Sequence, residues 1–133
     1  MDTTLYDHRG NPVAYFEDEG GRLIYLWSGH AVAYLKGELV YGWNGQHIGW
    51  YVESVLYDTH GLRVGSLGDK CPFMLKDARN KADKRTKGPL YERRTEFKRP
   101  NFRRDYSERG LEEFLRASAG ALFEDLEDTA GTE

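Results

Sequence analysis

Four histidines, one cysteine, two turn aspartates and a run of arginines interleaved with aromatics are the residues of this 133-residue chain that could carry chemistry. His8, His30, His47 and His60 each lie within two residues of a glycine (Gly10, Gly29, Gly45 and Gly61), and four imidazoles converging on one axis would suit a divalent metal. Their offsets from the glycine are −2, +1, +2 and −1, so a fourfold arrangement would not superimpose them. Solvated turn residues are the preferred reading. Cys71 precedes Pro72 with no histidine near it in sequence, and Asp7 and Asp58 each open an Asp-x-x-Gly turn, where the carboxylate normally caps its own backbone. No phosphate-cradling glycine loop, nucleophile elbow, Cys-x-x-Cys or His-x-x-x-His spacing occurs. The expectation is a non-enzymatic protein with no cofactor and no metal.

The basic run carries a different chemistry. Tyr91, Phe97, Phe102 and Tyr106 are interleaved with Arg93, Arg94, Lys98, Arg99, Arg103 and Arg104, the composition with which single-stranded nucleic-acid binders neutralise phosphates and stack bases. The preferred alternative is that this arm lies against the acidic parts of its own chain. Residues 1–68 hold 4 Lys+Arg against 8 Asp+Glu, residues 69–110 hold 14 against 7, and residues 111–133 hold 1 against 7. The positive arm therefore sits between two negative segments.

The elements that must position these residues come from a pattern met four times between residues 5 and 67: LYDHRGNPVAYF, IYLWSGHAVAYL, VYGWNGQHIGWY and LYDTHGLRVGSL. The glycines Gly10, Gly29, Gly45 and Gly61 are spaced by 19, 16 and 16 residues. Four before each is a tyrosine (Tyr6, Tyr25, Tyr41, Tyr57), and three after is a β-branched residue (Val13, Val32, Ile48, Val64). Four after is alanine or glycine, and six after is large and apolar. Each copy reads as a β-hairpin, with Asn44-Gly45 as a two-residue turn, so that Tyr25 would oppose Val32 and Tyr41 would oppose Ile48. For the Asp-x-x-Gly copies a type I turn with glycine in the left-handed position fits, and their register stays open. The tiny positions predict close approach of backbones around a pseudo-fourfold axis.

These copies resemble the four-fold β-flower domain of uncharacterised bacterial proteins, over roughly residues 4–68. The resemblance implies a fold, and it brings no catalytic residue or cofactor with it. The LEEFL stretch near the end resembles the short helical ending of that family, whereas the basic linker departs from the proline-rich kind.

The resulting fold class is mainly β: four tandem hairpins, an irregular basic arm and one C-terminal amphipathic α-helix. The expected domains are a repeat module over 1–68, a largely extended arm over 69–106, a helix over 107–128 capped by Ser107, and a disordered tail over 129–133. The apolar run Cys71 to Leu75 is expected to pack back on an open edge of the module. Lone Cys71, the absence of an apolar leader and the lack of an 18-residue apolar stretch point to a cytoplasmic protein with no membrane association. The functional expectation is a binding or scaffold module with a protein partner or self-association, through Trp27, Trp43 and Trp50 near the turns, at least one of which is expected to be buried in the core instead, and through the terminal helix. The alternative is single-stranded nucleic-acid binding through Arg93, Arg94, Phe97, Arg99, Phe102, Arg103 and Arg104.

Overall fold

The computed structural model describes residues 3–17, 22–68, 83–84, 87 and 90–119; the Cys71 to Leu75 run, the tail over 129–133 and the second half of the expected helix lie outside this set. Eight strands form: β1 (Thr3–Tyr6), β2 (Pro12–Phe16), β3 (Leu23–Leu26), β4 (Ala31–Lys36), β5 (Leu39–Gly42), β6 (His47–Val52), β7 (Val55–Asp58) and β8 (Arg63–Ser66). Each pairs antiparallel with its successor, and β8 returns to β1 to close a barrel of four hairpins. Closure removes the unpaired edges that a four-hairpin sheet would otherwise expose. Among the described residues one short helix, α1 (Leu111–Arg116), follows.

All four hairpin turns are alike. The amide of each glycine donates to the carbonyl three residues back, Gly10 to Asp7, Gly29 to Leu26, Gly45 to Gly42 and Gly61 to Asp58, at 2.9–3.1 Å. The four glycines have φ between 83° and 91°. This corrects the two-residue turn expected at Asn44-Gly45. Asp7 and Asp58 open their turns and accept the amides of Arg9 and His60, whereas Asn44, directly before its glycine, accepts the Gln46 amide at 2.9 Å.

The cross-strand register differs from expectation for a related reason. Leu5 faces Ala14 but Tyr6 faces Pro12; Tyr25 faces Ala31, Tyr41 faces His47 and Tyr57 faces Arg63. Val13, Val32, Ile48 and Val64 are thus the extra residues of four equivalent β-bulges, not partners of the tyrosines. A bulge lets two consecutive side chains contribute to one face. Val32 and Ala33 are both fully buried in the same interior cluster.

Strand alternation sends the tyrosines outward, where they meet aromatic residues of the preceding copy: Tyr25 stacks on Tyr15 at 5.6 Å and Tyr41 on Tyr34 at 5.8 Å. Tyr57 pairs with Trp50 in register. At the closing seam Tyr6 meets Ser66 instead. Inside, Leu5, Ile24, Val40 and Leu56 form the middle of the core, and Phe16 reaches Tyr51 across the barrel at 5.0 Å.

The interior is completed by α1. Leu111, Phe114 and Leu115 are buried in the same cluster, with α1 touching β2, β4 and β8. Those strands carry Ala14, Ala33 and Gly65. A Cβ on Gly65 would come within 2.8 Å of the Leu111 side chain and 2.9 Å of the Tyr6 carbonyl oxygen. The tiny positions therefore make room for the helix as well as for neighbouring backbone. The helix is capped by Gly110 with no side-chain bond, and Ser107 Oγ instead accepts the Arg109 amide at 3.1 Å.

Between β6 and β7 the connection is two residues, Glu53 at φ 49° and Ser54 at φ 68°, both left-handed and neither glycine. L-residues pay roughly 1–2 kcal/mol for this conformation. Ser54→Gly is expected to stabilise the chain by about 1 kcal/mol and raise Tm by roughly 4 °C in a circular-dichroism melt. An unchanged or lower Tm would contradict the assigned turn.

Candidate functional site

The basic arm is not free of the barrel. In the described part it runs along the rim that carries the four glycine turns, joined to it by main-chain hydrogen bonds. Tyr91 donates to the Trp43 carbonyl at 3.2 Å, Arg94 to the Gly45 carbonyl at 2.8 Å and Arg103 to the Gly61 carbonyl at 2.9 Å. The Phe97 amide donates to His47 Nδ1 at 2.8 Å. Donors at 91, 94 and 97 recur every third residue, the repeat of a polyproline II segment, which turns one backbone group in three to the same side. Beyond Pro100, the Arg63 amide donates to the Asp105 carbonyl at 2.9 Å and the Ser107 amide to the Arg63 carbonyl at 2.7 Å, and Tyr106 pairs with Arg63 before α1 enters the mouth.

The candidate residues divide accordingly. Trp27, Trp43 and Trp50 are only 8%, 4% and 2% exposed, which corrects the expectation that they form a surface near the turns. Their rings are enclosed by the outward aromatics: Trp27 lies 5.2 Å from Tyr15 and donates Nε1–H to the Pro12 carbonyl at 3.0 Å, and Trp43 meets Tyr34 edge-on at 6.0 Å. Trp50 is held between His47 at 4.5 Å and Phe102 at 6.1 Å.

On the arm, Arg93 lies over the Tyr41 ring at 5.9 Å, and Phe102 stacks on Tyr57 at 4.3 Å. Arg99 covers the outer face of Phe102 at 4.8 Å and binds Glu38 at 2.8 Å. Arg103 pairs with Asp105 at 3.6 Å. Arg94 and Arg104 are exposed, and so is Phe97 at 54%. With Leu90 at 55% and Tyr91 at 43%, Phe97 completes the set of large exposed apolar side chains among the described residues. All three belong to one eight-residue stretch of the arm. Beneath it lies an open groove of about 650 Å3 lined by Tyr34, Lys36, Tyr41 and residues 90–96. The buried Tyr34 hydroxyl has no hydrogen-bond partner among the described residues.

Of the four histidines His47 is the buried one; His8 and His60 are exposed, and half-buried His30 has Nδ1 2.7 Å from Ser28 Oγ. The His47 Nε2–H donates to the Gly49 carbonyl at 2.8 Å, leaving Nδ1 as the acceptor for Phe97. The Phe97 contact requires the neutral ring, whose Nδ1 keeps its lone pair, whereas the Gly49 bond is made by either form. Burial pushes its pKa below the usual histidine value of 6.5, opposed by the Gly49 bond and the nearby Glu96 carboxylate. Tyr41, with Arg93 above it, packs on the ring, while Asp58, His60 and Arg109 line the cavity beside it. The folded state thus binds fewer protons at His47 than the unfolded state. Its contribution is complete above about pH 6.5 and is lost as pH falls through the lowered folded value. The expected result is that His47→Gln flattens the pH dependence of stability between about pH 7.5 and 5. An identical acid limb in the variant would contradict this assignment.

Burial, followed by the Glu17 carboxylate, raises the pKa of Tyr25, and burial followed by Glu96 raises that of Tyr41, so both outward tyrosines stay phenolic. Among the described residues no group of three or more His, Cys, Asp or Glu is placed to hold a metal ion. No described helix is long and apolar enough to cross a membrane.

The sequence reading missed the register of the arm. Its signal is a nine-residue recurrence, DKRT at 83–86, ERRT at 92–95 and NFRR at 101–104.

A family model described as 4-fold beta flower protein matches residues 3–115. No match was found among curated proteins or solved structures. The family match extends past the repeats, through the arm and into α1, so the resemblance over 4–68 is wider than the hairpins alone suggested.

Proposed function

Given that the chain belongs to the 4-fold beta flower family, we propose that it is a non-enzymatic binding or scaffold module of the bacterial cytoplasm, engaging a protein partner through its belted outer surface. The supporting observation is the clustering of exposed Leu90, Tyr91 and Phe97 on one stretch of arm, the first two lining the Tyr34–Tyr41 groove and Phe97 the neighbouring cavity beside His47. Exposed aromatics over a concave surface are the usual anchors of a protein interface. The described turns of the terminal helix bury their apolar side chains in the barrel, which leaves the arm as the stronger binding element. The test is affinity capture with the full chain against Leu90→Asp/Tyr91→Asp. Partners lost by the variant, with its melting curve unchanged, support the reading; an identical partner set removes it.

A second reading, single-stranded nucleic-acid binding, draws on the exposure of Phe97, Tyr91, Arg94 and Arg104 on the same arm. It is weakened by the internal engagement of Arg93, Arg99, Phe102 and Arg103. Anisotropy titration of labelled single-stranded RNA and DNA at low and near-physiological salt decides it. Saturable binding with a steep salt slope supports it, and no binding at low salt eliminates it.

A further inference from the structure

The rim of the barrel holds the arm by three equivalent stations, and the stations are nine residues apart. At Gly29, Gly45 and Gly61 an added Cβ would collide with the carbonyl oxygens of Asp83, Glu92 and Asn101 respectively. The next residue of the arm lies on the repeat tyrosine of the same hairpin: Lys84 Nζ over Tyr25 at 5.0 Å, Arg93 over Tyr41 at 5.9 Å and Phe102 on Tyr57 at 4.3 Å. One residue further on, the amides of Arg94 and Arg103 donate to the carbonyls of Gly45 and Gly61. Each of these three hairpins thus reads backbone at its glycine and a cation or aromatic ring at its tyrosine. A segment with three residues per turn and about 3.1 Å rise returns the same face after nine residues, having advanced about 28 Å. Main-chain bonds supply affinity in such a groove, and the spaced side-chain contacts supply specificity.

We infer that this rim is a tandem peptide-reading surface, held in cis by the chain's own arm, and that it takes the arm of a second copy in trans. Charge favours that occupant, since the repeat segment is net acidic and the arm net basic. The stations share Tyr41 with the groove of the proposed partner surface, but the partner reading is tested at exposed Leu90 and Tyr91 and this inference at Arg93 and Phe102, so the two fail separately.

The test uses the full-length chain carrying Arg93→Ala and Phe102→Ala, which loosen the cis arm while keeping α1, and a fluorescein-labelled peptide of residues 90–106 as probe. The unmodified chain should bind this peptide about tenfold more weakly than the variant, because its tethered arm competes at roughly millimolar effective concentration. A peptide with one glycine inserted after Lys98, of the same charge, should bind the variant about tenfold more weakly than the unshifted one. Equal binding of the two peptides, or no saturable binding by the folded variant, overturns the inference. Where the variant loses its fold on melting, the peptide is added in millimolar excess to the unmodified, nitrogen-labelled chain. Shifts of the Gly45 and Gly61 amides then support trans binding, and unmoved resonances overturn it.

Discussion

Truncating Phe114 to alanine is expected to lower the stability of the folded chain by about 3–5 kcal/mol, the cost of removing a phenyl ring from a closed core and leaving a cavity. Phe114 is buried in the cluster that contains Leu5, Ile24, Val40 and Leu56, so its ring belongs to the barrel's own interior. A barrel of eight short strands has little apolar surface to spare, and α1 supplies three buried side chains to it. The effect corresponds to a Tm drop on the order of 15 °C, read by denaturant titration and thermal melting. Glu113→Ala, on the exposed face of the same helix, is the control and should change stability by less than about 0.5 kcal/mol. Similar small losses in both variants would mean that α1 does not fill the barrel.

The second large effect is expected at Gly45. Alanine there meets two separate costs: the left-handed conformation at φ 90° and a collision with the Glu92 carbonyl, which is main chain and cannot rotate away. The first costs roughly 1–2 kcal/mol. The second pushes the arm off the rim and breaks the Tyr91 and Arg94 amide bonds, worth about 1 kcal/mol each. Gly45→Ala should therefore destabilise by about 3–4 kcal/mol and free the amides of Tyr91 and Arg94 to exchange. Gly37 provides the comparison, since it is also left-handed at φ 61° but has nothing within 4 Å of an added Cβ. Gly37→Ala should show the conformational cost alone, with the arm amides still protected. If both variants release the arm equally, or neither does, the carbonyl–glycine contact is not what holds it.

The part of this architecture that could be read in the sequence is the part carried by residue type. Tyrosine, glycine, a β-branched residue and a tiny one recur in register four times, and the barrel follows from stacking four such hairpins. The bulge could not be read, because a register shift of one residue is set by turn geometry, and Asn44-Gly45 is compatible with two turn widths. It took the interior position of Val32 beside Ala33 to distinguish them. The tryptophans misled for the same reason: their fate depends on which neighbouring strand's tyrosine covers them, and pairing partners are non-local.

The arm was harder because its recurrence is physical before it is chemical. Lys84, Arg93 and Phe102 occupy one role, yet a cation and an aromatic ring share only their affinity for a tyrosine face. Asp83, Glu92 and Asn101 are used at the glycines through their carbonyl oxygens, which every residue possesses. Aromatic spacing alone, at six, five and four residues from Tyr91 to Tyr106, shows no period. The alternation of base and aromatic that suggests phosphate and nucleobase contacts is, over much of its length, a set of contacts to this chain's own tyrosines and acids.

A barrel of four hairpins wears its own arm as a belt held at every third residue. Residue-resolved hydrogen exchange of the full chain near neutral pH tests it most directly. The amides of Tyr91, Arg94, Phe97 and Arg103, which donate to Trp43, Gly45, His47 and Gly61, should exchange slowly while those of Arg93, Thr95, Glu96 and Lys98 between them exchange fast. Uniformly fast exchange from residue 90 to residue 103 would contradict this and mean that the arm is not held on the barrel.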